Sequence, residues 1–319
     1  MKFIALLFLS FLSLWADAHI FVYHRFNDSR HPSTNTTNEE LRANFEFFKS
    51  NGYKVVPLHL LVETIKQKKE VPDNWVVLTI DDNYKSFYEN GLPIFKEYGY
   101  PFSLFVFVEG THKRYPDYTS WEDLKEIAKY GAIEFHSYGH KHLQKLSNEE
   151  IIKDFDKGMQ LIQKHLEIKP RYFSYPYGEY TSRVKKLCEE YGFEAIINQN
   201  MGAVSEQSDV FDLDRTALVG KSDLNSVLKY DFLDATWEKP QEYPEDKIIH
   251  SISLKTKEKN AKHAKVYVSG YGWENFKLQD GLLEANLNKA LKFPRSRIII
   301  NVDNKISSKL LIKDSYGTK

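Results

Sequence analysis

Residues 74–107 read NWVVLTIDDNYKSFYENGLPIFKEYGYPFSLFVF. The apolar run at 76–80 is too short for a helix and stops at Asp81-Asp82-Asn83, as a buried strand does when it enters a turn. An amphipathic stretch follows and ends at Gly99, where glycine takes the left-handed conformation cheaply. A second apolar run, 102–108, comes next. Strand, helix and strand in this order form a parallel crossover unit.

The same alternation extends outward in both directions. Strands are expected at 20–23, 54–57, 76–80, 102–108, 132–135, 172–175 and 194–197. Thr37 with Glu40, Ser120 with Asp123 and Ser147 with Glu150 have capping-box spacing, and Gly52, Gly99, Gly131 and Gly192 stand where helices should end. These units predict an α/β fold, a distorted (β/α) barrel of about seven parallel strands, with chemistry at the C-terminal strand ends. Two prolines and several charges at 236–246 (TWEKPQEYPED) read as a linker. Beyond it, strand-like runs lie at 248–254, 265–269, 297–302 and 309–312, and a helical period is conceivable only at 282–291. The expected organisation is a segment 1–18, a barrel domain 19–235, a linker 236–246 and a small β-rich, sandwich-like domain 247–319.

Lys+Arg and Asp+Glu both number 44, so the chain lacks the basic excess that a nucleic-acid binder uses against phosphate, and no nucleic-acid partner is expected. One cysteine, Cys188, excludes an intramolecular disulfide; it falls in a helical stretch where a buried thiol is expected. Lys2, the apolar run 3–15 and Ala16-Asp17-Ala18 form a signal-peptide pattern, with cleavage expected after Ala18. An exported protein, periplasmic or secreted, with no membrane span after cleavage is the implication; an uncleaved anchor is the alternative.

Asp81 and Asp82 end a buried strand, where each carboxylate must be solvated, paired or bound to a cation. Taken alone they could be solvated turn residues. A second strand, however, ends in His136-Ser137-Tyr138-Gly139-His140, and two imidazoles four residues apart can reach one metal ion if the segment turns helically. One carboxylate with two His leaves positions open for water and substrate. His142 is read as a solvent-facing neighbour and the substitute should His140 not serve. Tyr175-Pro176-Tyr177-Gly178 is a tight turn that could aim a backbone N–H at an oxyanion, and His24 follows the first strand.

Together these residues resemble the polysaccharide deacetylases of carbohydrate esterase family four, over about residues 21–219. Thr79–Asn83 is similar to the family's Thr-Phe-Asp-Asp-Gly motif, His136 and His140 to its His-Ser/Thr-x-x-His motif, and Pro176-Tyr177-Gly178 to the end of its third motif. Tyr23-His24, near the N-terminus, resembles the last motif as placed in the circularly permuted branch, that of the poly-N-acetylglucosamine deacetylases. The resemblance implies a hydrolase acting on carbon–nitrogen bonds other than peptide bonds, which removes acetyl groups from an N-acetylated polysaccharide. It implies that Asp82, His136 and His140 hold a divalent metal (Zn²⁺, with Co²⁺ or Ni²⁺ as alternatives). Asp81 is then the general base, His24 the general acid, and the Tyr177 N–H an oxyanion donor. Ile80 and Asn83 depart from the motif's Phe and Gly. Ser174 stands where many members carry an arginine that orients the base; Arg215 is the expected replacement and Arg171 the other candidate. The alternatives are a catalytically silent glycan-binding protein on the same fold and an O-acetyl esterase. In the C-terminal part, Tyr267, Tyr271 and Trp273 could offer a sugar-stacking surface, but packing in the sandwich core and a hairpin is the preferred reading.

Overall fold

The computed structural model describes residues 17–316; the expected apolar signal segment at 3–15 lies outside the described residues. Ten strands belong to the first half of the chain's organisation: β1 His19–Tyr23, β2 Arg25–Phe26, β3 Asn35–Thr36, β4 Lys54–Val55, β5 Trp75–Asp81, β6 Ser103–Val106, β7 Ala132–Phe135, β8 Tyr172–Ser174, β9 Ala195–Ile197 and β10 Thr216–Ala217. Between them run α1 Asn38–Ser50, α2 Leu58–Lys66, α3 Leu92–Tyr98, α4 Val108–His112, α5 Trp121–Ile127, α6 Asn148–Leu166 and α7 Ser182–Tyr191. Seven strands form one parallel sheet in the order β10-β1-β5-β6-β7-β8-β9, with β4 pairing off this path onto the start of β5. The segment leading into β10 also bonds β9 through Leu213, so the two edges of the curled sheet share one stretch of chain. The expected strand at 54–57 is therefore a side branch, and β10 takes its place in the seven.

Strand parity explains how this sheet is filled. Successive side chains point to opposite faces, and both faces here are apolar, as in a buried parallel sheet. Phe21, Tyr23, Leu78, Ile80, Leu104, Val106, Ile133, Phe135, Phe173 and Tyr175 pack outward under the helices. Ile20, Val77, Phe105, Tyr172, Ala195, Ile197 and Leu213 pack inward, where Leu58, Leu61, Val62 and Ile65 of α2 join them. Thr37, Ser120 and Ser147 make the three expected reciprocal capping boxes on α1, α5 and α6. Gly99 and Gly192 cap α3 and α7 in the left-handed conformation. Gly131 does not take that conformation; it is required instead by close approach, since a Cβ there would lie 2.3 Å from the Phe102 ring.

Glu134 shares the inward parity, one layer below the strand ends, and accepts the N–H groups of Arg171 and Tyr172, both at 2.8 Å. Burial pushes its carboxyl up to about 7, the two backbone donors offsetting this only in part. The folded protein then holds a proton that the unfolded chain releases at the ordinary glutamate pKa of 4.5. Stability should therefore fall as pH rises between these two values, and the deficit is complete above the upper one. Glu134→Gln removes this slope. Its melting temperature minus that of the wild type should grow from pH 5 to pH 8, by up to roughly 3 kcal/mol in stability; a pH-independent difference would show that the carboxyl is not shifted.

The remaining chain adds α8 Leu224–Leu228 and β11 Asp231–Phe232, β12 Ala235–Lys239, β13 Ile248–Thr256, β14 His263–Val268, β15 Gly272–Gln279, β16 Leu282–Ala290, β17 Arg295–Val302 and β18 Lys305–Ile312. These form a second sheet, order β11-β18-β17-β14-β15-β16-β13-β12, antiparallel except for β11 with β18. β15 pairs with β14 along most of its length and with β16 at Leu278 and Gln279, so the sheet curls around one apolar core that includes Ile252, Val266, Leu283 and Ile300. Three expectations change. Residues 282–291 are not helical, because Leu283 and Ala285 alternate inward opposite β13. Residues 236–239 of the expected linker lie in β12. Trp273 and Tyr271 are absent from the core and exposed. Ala18 exchanges backbone bonds with Val204 (2.9 and 2.8 Å), and Asp17 accepts from the Phe232 N–H at 2.6 Å, so the expected cleavage point after Ala18 falls beside a formed pairing.

Candidate active site

Parity also aims the polar residues. Val77, Thr79 and Asp81 alternate inward along β5, and the same register sends His24 inward after β1, His136 after β7 and Ser174 at the end of β8. All lie at C-terminal strand ends, so one mouth of the sheet collects them. Asp82 should face outward by the same rule, but the strand stops at Asp81 and Asp82 takes φ 72°. That turn brings the second carboxylate back to the first. Ser137, His140 and Tyr177 also have positive φ, at 66°, 47° and 61°, and such strain collects where several groups must converge. The segment 136–140 is therefore an irregular left-handed turn, not the helical one expected from the spacing. Asp154 of α6 holds it open, accepting the N–H groups of Tyr138 and Gly139 at 2.8 Å each.

Asp82 Oδ1 lies 3.4 Å from His136 Nε2 and 3.0 Å from His140 Nε2, and the three side chains offer ligand atoms within 4.8 Å of one another. His136 Nδ1 sits 2.7 Å from the Ser174 carbonyl, which fixes the proton on Nδ1 and turns the Nε2 lone pair toward Asp82. Asp82 Oδ1 is buried without a hydrogen-bond partner among the described residues. One carboxylate oxygen and two imidazole Nε2 atoms converge on one point, a donor set that fits a divalent metal. Burial raises the Asp82 pKa and the neighbouring histidines outweigh it, leaving the carboxyl well below its ordinary value. Desolvation holds His136 down, to about 4, which favours the neutral ligand form.

Asp81 is fully buried and held by Arg215, whose Nη1 and Nη2 donate to its two oxygens at 2.8 and 2.7 Å. Arg215 also donates to Thr79 Oγ1, Ser174 Oγ and the Asn198 carbonyl at 3.1, 2.7 and 3.1 Å. All five guanidinium donors are used. Burial raises the Asp81 pKa, and Arg215 and then His136 bring it below the ordinary carboxylate value. Arg171, the other candidate, lies away from the site in surface pairs with Glu194 and Glu63. Ser174, small where an arginine was expected, instead leaves room for the guanidinium arriving from beyond β9 and accepts one of its bonds.

His24 stands within electrostatic reach of both Asp81 and Asp82, and its Nδ1 is buried with no partner among the described residues. The Tyr177 ring, 40% exposed, meets His140 edge-on at 4.5 Å and stacks on His142 at 4.3 Å. His142 is not a member of the ligand cluster: its Nδ1 lies 2.6 Å from Glu179 Oε2, which also accepts from Gln144 at 2.9 Å. Asn83 does more than tolerate φ 42°. Its amide donates to Thr111 and Thr119 at 2.9 Å each and accepts the Phe107 N–H at 2.8 Å. The second sheet also reaches the mouth: Arg297 donates to the Gln199 carbonyl and Ser308 to that of Met201, both at 2.8 Å, while the Gln199 side chain approaches Asp81 at 3.5 Å. None of Asp154, Glu179, Gln199 or Arg297 carries a motif, so only the fold could have placed them here.

Residues 68–196 match the family described as polysaccharide deacetylase. Over that stretch the chain is similar to the polysaccharide deacetylases. Relatives named as N-deacetylases are hydrolases of carbon–nitrogen bonds. The chain is 27% identical over 192 residues to the poly-beta-1,6-N-acetyl-D-glucosamine N-deacetylase of Staphylococcus aureus (strain MSSA476), covering 54% of this chain and 65% of that protein. It is 24% identical over 197 residues to YxkH of Bacillus subtilis (strain 168), which bears the same family name, covering 61% of this chain and 69% of that one. The chain thus spans about two thirds of the length of these curated relatives. Among solved structures, the Streptococcus pyogenes deacetylase PplD in complex with acetate aligns with a TM-score of 0.61 at 17% identity, over 67% of this chain and 98% of that one. IcaB from Ammonifex degensii aligns with a TM-score of 0.57 at 21% identity, over 64% and 92%. These two show that the chain shares their fold. No helix among the described residues is long and apolar enough to cross a membrane.

Proposed function

We propose that this chain is a metal-dependent N-deacetylase acting on an N-acetylglucosamine-containing polysaccharide outside the cytoplasm. The observation that carries this reading is the pairing of the Asp82–His136–His140 cluster with a second carboxylate, Asp81, that is buried, ionised and held by Arg215. A structural ion pair needs one carboxylate; a hydrolytic site needs one for the cation and one for the proton. Zn²⁺, or Co²⁺ or Ni²⁺ in its place, would be held by Asp82, His136 and His140, polarise the acetyl carbonyl and acidify water.

Asp81, oriented by two guanidinium bonds, takes the proton from the attacking water. The Tyr177 N–H, aimed by the φ 61° turn, donates to the oxyanion. His24 gives a proton to the departing amine, which an amide requires because an unprotonated amine leaves poorly. The exposed Tyr177 ring beside His140 is a surface on which a pyranose can stack. Lys2, the apolar run 3–15 and Ala16-Asp17-Ala18 support export to the periplasm or beyond.

The test is acetate release from N-acetylglucosamine oligomers by the purified protein, stripped of metal and then reconstituted with Zn²⁺. Release only in the reconstituted sample is expected. A protein that takes up one equivalent of metal at the cluster and releases nothing would mean another substrate; one that takes up none would overturn the reading.

A further inference from the structure

The second sheet presents a face that the hydrolytic site does not use. β14 pairs with β15 on one side and β17 on the other, so Trp273, Tyr267 and Ile299 form one cross-strand row and Asn275, Lys265 and Asn301 the next. The rows lie two residues apart, about 7 Å, close to the span of one pyranose ring. The core lies on the opposite face, through Val266, Val268, Ile298 and Ile300. Trp273 is 47% exposed and leans on Tyr267 with ring centroids 5.4 Å apart. Lys229, Tyr230 and Asn304 complete the border of a hollow of about 390 Å³, within the range of small-ligand sites.

The chemistry of this face is specific. An indole face packs on the C–H face of a sugar. Three asparagine amides offer donors and acceptors to hydroxyl and acetamide groups. Asn301, in the lining of the hollow, has its Nδ2 buried with no acceptor among the described residues, an unpaired donor at the edge of the site. Two ammonium groups, Lys229 and Lys265, stand in the border, and no carboxylate does. Glu274, beside Trp273, alternates to the other face and pairs with Lys289.

We propose that this face is a second glycan-binding site, selective for chains that still carry their N-acetyl groups. Removing the acetyl groups turns a neutral chain into a cationic one, which the two lysines repel with no acid to compensate. The site would thus hold acetylated polymer near the deacetylase mouth and release it as it is converted. The choice of glycan rests on the proposed deacetylase activity; the site itself rests on the sheet.

Binding is measured with the full chain carrying Asp81→Asn, which does not consume the ligand, against poly-N-acetylglucosamine and its deacetylated counterpart. Trp273→Ala and Lys265→Glu are added separately to that background. The acetylated polymer should bind in preference; Trp273→Ala should weaken it about tenfold; and Lys265→Glu, an exposed substitution that leaves the core untouched, should abolish the preference by admitting the cationic chain. Equal binding of both polymers by the starting protein, or an unchanged preference in Lys265→Glu, overturns the proposal even if Trp273→Ala fails to fold. Acetate release from short oligomers is assayed separately with Asp81 intact, where Trp273→Ala should match the wild type. A wild type that takes up no metal and releases no acetate would reject the deacetylase reading and leave the polymer-binding result standing.

Discussion

Asp81→Asn is expected to lower acetate release by about two to four orders of magnitude, the range that a positioned general base contributes, while one equivalent of metal is still taken up. The two effects separate because Asp81 and Asp82 are adjacent in sequence but face different partners. Asp82 Oδ1 looks at His136 and His140, and both Asp81 oxygens look at Arg215. An asparagine at 81 keeps the volume and one acceptor but cannot take a proton. It also sets an amide N–H against the guanidinium, so thermal unfolding should be followed alongside. Metal content by titration and initial rates on N-acetylglucosamine oligomers decide the matter. A variant within tenfold of the wild-type rate would show that another group serves as base.

Arg215→Leu should have the largest effect on the fold itself. The guanidinium is fully buried and spends five donors on Asp81, Thr79, Ser174 and the Asn198 carbonyl. Removing it leaves Asp81 as a buried carboxylate without its hydrogen-bonded cation, and breaking such a pair costs about 3–5 kcal/mol. Chemical denaturation should show a loss of that size, with acetate release falling further than stability alone explains because the base is no longer oriented. Arg215→Lys keeps the charge but cannot bond both carboxylate oxygens and the three other acceptors at once. It should recover part of the stability and little of the rate. Equal stability of the wild type and the leucine variant would mean that the pair is not buried in solution.

Much of the barrel was legible from local signals. Apolar runs bounded by turn residues marked β1 and the strands from β4 to β9, and Thr37, Ser120 and Ser147 marked helix starts, because both depend on residues close in sequence. β10, two residues long, escaped: Thr216 and Ala217 carry no periodicity, and their place beside β1 is set by closure of the curled sheet. Residues 282–291 were ambiguous for a related reason. Their leucines fit more than one period, and pairing with β13 settles which.

The site divides along the same line. The candidates proposed from the sequence, Asp81, Asp82, His24, His136, His140 and Tyr177, come together at one mouth, since each ends a strand or shapes a turn and a parallel sheet sends all such ends to one side. For the arginine that meets Asp81 the expectation was Arg215, with Arg171 as the other candidate, and the convergence of the segment after β9 with β5 and β8 brings Arg215 to the carboxylate and leaves Arg171 on the surface. The sequence likewise set His142 apart from the ligands without saying what it does, and sent Trp273 to the core. The tertiary structure places one against Tyr177 and Glu179 and the other on an open face. Local propensity acts over a few residues, whereas the partner of a buried charge and the side on which an aromatic emerges are decided by which distant strands come to lie next to one another.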